Sequence, residues 1–168
     1  MDKGKVLHAS HEGVEVMRYI GDIRYTMAPS LGRFLDDLFA RTTPVGFVVD
    51  LREAGIIDST NLGILVRIAK RMAERGGPRL TVISGQEDVD ELLRALGLDE
   101  VFDVVGANGD GWGAEQEIPV AQANGAEVAQ TVLAAHRVLM DLNESNRDQF
   151  RDVVALFEKQ ASAAWDPD

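Results

Sequence analysis

The sequence predicts a mixed α/β fold, and three observations carry that prediction. Between Val6 and Asp103, apolar runs rich in β-branched residues alternate with segments of helical spacing. The run FVVDL at 47–51 is apolar almost throughout, as a central strand covered on both faces would be. Glycine or proline punctuates most junctions, at Gly21, Pro29, Gly76-Gly77-Pro78 and Gly97.

The elements follow in order. Val14 to Ile20 reads as a strand closed by Gly21 and Asp22, after an amino-terminal strand-to-turn segment that holds His8 and His11. Pro29 opens a helix whose Leu31, Phe34, Leu35 and Leu38 recur on one face. After FVVDL, the stretch GIIDSTNLGILVRIAKRM at 55–72 passes from strand into helix. There Leu62, Leu65, Val66, Ala69, Met72 and Ala73 form the apolar stripe, while Asn61, Arg67, Lys70, Arg71 and Glu74 fall on the other face. LTVIS at 80–84 is a further strand, Asp88 to Leu96 a short helix, and Val101 to Val105 the closing strand. About five strands and three helices thus occupy residues 1–105.

Residues 106–125 contain five glycines and little periodicity, which predicts a linker that Trp112 and Ile118 are able to pin to the domain. Beyond it, 126–163 carries two apolar helical stripes, Val128, Val132, Ala135, Leu139 and Leu142, then Phe150, Val153, Val154, Phe157 and Ala161. Asn143 to Asn146 is the expected joint between them. Stripes on short helices must be buried to persist, against the domain, a second copy or a partner.

Composition narrows the function. The formal net charge of −11 divides into −4 for residues 1–105 and −7 for the remainder, a surface that repels phosphate backbones and anionic lipid. Neither nucleic-acid nor membrane binding is expected. Cysteine is absent, which removes disulfides, thiolate metal sites and cysteine nucleophiles. No export signal or spanning segment is read, so the expected location is the cytoplasm. The three histidines, His8, His11 and His136, show no metal-ligand spacing and read as exposed or packing residues. No phosphate-binding glycine loop and no nucleophile elbow occurs, and neither a metal nor a cofactor is expected. No nucleophile and base pair can be assembled from spacing, so the protein is not read as an enzyme.

The remaining chemistry is Asp58-Ser59-Thr60-Asn61 at a helix start. Asp58 or Ser59 can act as the N-cap, which alone would account for either residue. A hydroxyl there is also well placed to carry phosphate, because unpaired N–H groups and the positive end of the helix dipole favour added negative charge. Local chemistry leaves both readings open.

The stretch VVDLREAGIIDSTNLGILVRIAKRMAERGGPRLTVIS, followed by LLRALGLDEVFDVV, resembles the STAS domain of bacterial anti-sigma factor antagonists over residues 5–105. The resemblance implies a STAS fold with a mixed sheet, here with a C-terminal helical extension. It implies a non-enzymatic switch in which Ser59, with Thr60 as second choice, is phosphorylated by a serine kinase or anti-sigma factor of histidine-kinase-like ATPase fold. A metal-dependent phosphatase reverses the step, and the unmodified form binds the partner. Carried onto this sequence, the docking residues are Asp22, Arg24, Asp58, Thr60, Asn61, Gly63 and Arg67. Asn61 stands where the family usually has glycine, and Arg24 where it usually has aspartate. Gly63, near the helix start, implies close backbone approach either by the partner or within the domain. The tail resembles that of a subgroup linked to biofilm and surface-lifestyle control, and self-association through it is a further expectation. The alternative is a ligand-sensing or scaffold STAS module in which Ser59 is only a cap or a ligand contact.

Overall fold

A computed structural model describes residues 3–106 and 111–164 of the chain. The strands are β1 (Lys5–His11), β2 (Val14–Ile23), β3 (Gly46–Ile57), β4 (Thr81–Ile83), β5 (Asp103–Val105) and β6 (Gln116–Glu117). The helices are α1 (Ala28–Arg41), α2 (Ser59–Glu74), α3 (Glu87–Ala95), α4 (Gly125–Met140) and α5 (Glu144–Ala164). The strands form one mixed sheet in the order β5-β4-β3-β2-β1-β6. β1 runs antiparallel to both neighbours, and the pairs from β2 to β5 are parallel.

Local chemistry explains the start. Glu12 and Gly13 both have positive φ, 51° and 85°, and His11 pairs with Val14 across this two-residue turn. That backbone matches the twist of the strands it joins, and glycine takes its second position without strain. The register then places Met17 and Tyr19 of β2 and Phe47, Val49 and Leu51 of β3 in one core with Leu31, Leu35 and Leu38 of α1 and Leu62, Leu65 and Ile68 of α2. In α1 the apolar period is the period of the buried face. The α2 helix departs from its expected stripe: Thr60 to Val66, Ile64 among them, are buried without a break, Ile68 is buried as well, and Ala73 is exposed.

The expected count of about five strands becomes six, because part of the expected linker joins the sheet. β6 pairs with β1, and Ile118 is buried beside it. Trp112 Nε1 donates to Asp50 Oδ2 at 3.0 Å, Arg18 Nε donates to Glu115 at 2.8 Å, and the Ala121 amide donates to Ser30 Oγ at 3.0 Å. A glycine count reports backbone freedom but not these side-chain anchors. Residues 107–110 of that segment lie outside the described residues.

The last strand is shorter than expected at 101–105. Phe102 donates its amide to the Leu98 carbonyl at 2.9 Å, which commits it to the turn before β5. The joint between the last helices falls earlier than Asn143 to Asn146, since Asn146 lies inside α5. Asn143 Oδ1 accepts the Asn146 amide at 2.8 Å and caps that helix. Asn146 is fully buried, and its Nδ2 donates to the Leu96 and Leu139 carbonyls, fastening the hairpin of α4 and α5 to the corner after α3.

Candidate functional site

The site is the junction of β3 and α2, at the ends of the parallel strands. The Asp58 amide donates to the Ile23 carbonyl at 3.2 Å, which holds the junction beside the end of β2 and the turn Tyr25–Met27. Asp58 is the N-cap of α2: its backbone is extended, and Oδ1 accepts the Asn61 amide at 3.0 Å and Asn61 Nδ2 at 2.9 Å. Ser59 therefore occupies the first helical position with its hydroxyl unused by the cap.

That hydroxyl lies 2.8 Å from His136 Nε2, on α4. His136 Nδ1 lies 2.7 Å from the Val132 carbonyl, which can only accept. Nδ1 therefore carries the proton, Nε2 of the neutral ring accepts, and Ser59 donates. His136 is 4 % exposed and meets Phe150 of α5 edge to face, with ring centroids 5.0 Å apart. The expected packing role of His136 thus takes a polar form. The structure also assembles a serine and imidazole pair that spacing did not reveal, because its members are far apart in the chain.

An open cleft of about 590 Å³ adjoins Ser59. It is lined by Asp58, Tyr25 and Thr26, by Val128, Ala129 and Val132 of α4, and by Val153, Phe157 and Gln160 of α5. No Lys or Arg is among the lining residues.

The other sequence-derived positions divide into two groups. Arg24 is exposed, its Nη2 donating to Oδ2 of half-buried Asp22 at 3.4 Å, and Arg67 is likewise half-buried on α2. Thr60, Asn61 and Gly63 are buried. The expectation that Asn61 lies on the outer face of α2 is corrected: its side chain turns inward to brace Asp58 and is fully buried. At Gly63, an added Cβ would lie 2.7 Å from the Ala135 Cβ, closer still to the Ala135 carbonyl oxygen. The close approach expected there is made by α4 of the same chain. His11 is exposed, while His8 Nε2 lies 2.6 Å from the buried Glu15 carboxylate. Among the described residues, no three His, Cys, Asp or Glu side chains are grouped so as to hold a metal ion, and no helix is long and apolar enough to cross a membrane.

Behind the site, the Asp50 carboxylate is almost fully buried on β3. Burial pushes its pKa up, but hydrogen bonds from the Arg52 guanidinium, Trp112 and the Arg52 amide outweigh burial and hold it below the ordinary value. Arg18, paired with Glu115 and Glu53, is held more firmly protonated than usual, against the opposing effect of burial. These pairs bind the segment after β5 to the sheet face opposite α1 and α2.

Comparison with known proteins agrees with this architecture. An anti-sigma factor antagonist from Mycobacterium paratuberculosis superposes with a TM-score of 0.54 at 24 % identity, over 61 % of this chain and 85 % of that one. The anti-sigma factor antagonist SpoIIAA in its unphosphorylated form superposes with a TM-score of 0.56 at 12 % identity, over 62 % of this chain and 88 % of that one. No curated protein sequence matches. The family model for the STAS domain matches residues 6–109, most of the chain. With the mixed sheet and the β3-to-α2 junction in place, the chain belongs to the STAS domain family.

Proposed function

We propose that this protein is an anti-sigma factor antagonist that works as a serine-phosphorylation switch, with Ser59 as the acceptor. The observation that carries the reading is that Asp58 supplies the cap and leaves the Ser59 hydroxyl free of that duty. Half-buried Ser59 also borders an open cleft, whereas Thr60 is 3 % exposed, which favours Ser59 between the two hydroxyls. The first turn of α2 favours an added anion.

In this reading, unmodified protein binds a serine kinase or anti-sigma factor of histidine-kinase-like ATPase fold through Asp22, Arg24, Asp58, Arg67 and the first turns of α2. Phosphate releases that partner, and a metal-dependent phosphatase restores binding in the cytoplasm. Residues 1–105 form the switch domain, 106–125 a glycine-rich linker partly anchored to its sheet, and 126–163 a helical extension. The likeness of the fold to two solved anti-sigma factor antagonists supports the assignment of partner class.

The test is the mass of the Ser59 peptide from native cells, joined to titration of Ser59→Ala and Ser59→Asp proteins against purified candidate kinases. Retained binding for Ala, at least tenfold weaker binding for Asp, and a phosphate that comes and goes are expected. Equal affinities with no phosphate at full peptide coverage refute the switch. The second reading, a ligand-sensing module, is favoured by the cleft of about 590 Å³ beside Ser59. It predicts a thermal shift with a small metabolite that is lost in Ser59→Ala.

A further inference from the structure

Two groups of observations place the C-terminal hairpin directly over the proposed phosphoacceptor. The first is steric. His136 Nε2 stands 2.8 Å from Ser59 Oγ, so a phosphoryl group built on that oxygen in its present rotamer would occupy the space of the imidazole. The ring has little freedom to yield, since Nδ1–H is tied to the Val132 carbonyl and one edge is packed on Phe150. Turning Oγ the other way directs the phosphate into the cleft. Its walls combine the Asp58 carboxylate and apolar side chains of α4 and α5 with the neutral polar groups of Tyr25, Thr26 and Gln160, and no Lys or Arg is among the lining residues. A group carrying nearly two negative charges meets one like charge there and no Lys or Arg to offset it, so beneath the seated hairpin its only cationic help is the helix N-terminus and one imidazole.

The second group concerns what the hairpin covers. Ala135 lies directly on Gly63, and Thr60, which lines the cleft beneath α4 and α5, is buried. A partner reaching the first turns of α2 must therefore take the place of α4. The hairpin has its own start signal, Asn124 Oδ1 accepting the Glu127 amide at 2.8 Å, and its own fastening at Asn146.

We propose that α4 and α5 form an intramolecular cap on the Ser59 face, and that the seated cap and a phosphate on Ser59 exclude one another. The cap and the partner compete for the same turns of α2, so the hairpin sets how much of the unmodified protein is open to docking. Phosphorylation then discharges the cap as well as the partner. The proposal rests on Ser59 being the acceptor.

The test uses full-length protein with phosphoserine incorporated genetically at position 59, compared by amide hydrogen exchange with the unmodified protein and with Ser59→Ala. Expected is exchange at least about tenfold faster across 125–157 in the phosphoprotein, more than in Ser59→Ala, with β2 and β3 unchanged. Unchanged or slower exchange across the hairpin overturns the proposal, because the phosphate is then held by a protonated His136 under a closed cap. Equal loosening in Ser59→Ala also overturns it, since loss of one hydrogen bond then suffices. Faster exchange throughout the sheet means global destabilisation and overturns it as well. Because the phosphate is installed without a kinase, a failure here is separate from finding no Ser59 phosphate in cells.

Discussion

Substituting Gly63 by alanine sets two physical effects against one another within a single helix. Alanine in place of glycine stabilises a helix interior by about 0.5–1 kcal/mol, so α2 considered alone gains. The new Cβ, however, would lie 2.7 Å from the Ala135 Cβ and 2.8 Å from the Ala135 carbonyl carbon. Carbon contacts are comfortable near 3.5–4.0 Å, so α4 must retreat by about 1 Å. The obstacle is helix backbone and not the flexible end of a long side chain. Overpacking of this kind costs about 1–3 kcal/mol. Retreat also stretches the 2.8 Å contact between Ser59 and His136. The seated hairpin should therefore lose about 1–2 kcal/mol, a factor of roughly 5–30 in its opening equilibrium. Amide exchange reads the two effects separately: α4 and α5 should exchange faster by that factor, while α2 and β3 hold or slow. A Gly63→Ala protein with unchanged α4 exchange and a raised melting temperature would refute the argument, since propensity alone would then govern the site.

Two further predictions concern the supports of the site. Asp50→Asn removes a carboxylate that receives Arg52 and Trp112, and should cost about 1–3 kcal/mol at neutral pH by urea denaturation. Because its folded-state pKa is depressed, the stability from Asp50 ionisation is fully present above the unfolded value near pH 4 and is lost as pH falls through the folded value. The difference between wild type and Asp50→Asn should accordingly shrink below about pH 4, and a gap that stays constant down to acid unfolding would count against the assignment. Asn146→Ala deletes the donors to the Leu96 and Leu139 carbonyls and should cost about 1–3 kcal/mol, concentrated in amide exchange of α4 and α5. A silent substitution would mean that the hairpin is fastened elsewhere.

The sequence determined whatever depends on neighbours along the chain. The apolar, β-branched runs of β2 and β3 and the helical spacing of α1 and α2 are local patterns, so the α/β class and the position of the β3-to-α2 junction were legible. The N-cap was narrowed to Asp58 or Ser59 for the same reason, because caps act over three residues. Tertiary structure decided between them, by turning Asn61 inward onto Asp58 and leaving the Ser59 hydroxyl to another partner. That partner, His136, is 77 positions away, and Trp112 meets Asp50 across 62. No periodicity records such a pairing. It exists because α4 packs on α2 where Gly63, lacking a side chain, leaves room for Ala135. Gly63 was the signal available in the sequence, but a missing side chain announces a close neighbour without naming it. The apolar stripes after residue 125 required burial somewhere, and only the packed chain shows that α4 and α5 spend it on the face that carries Ser59.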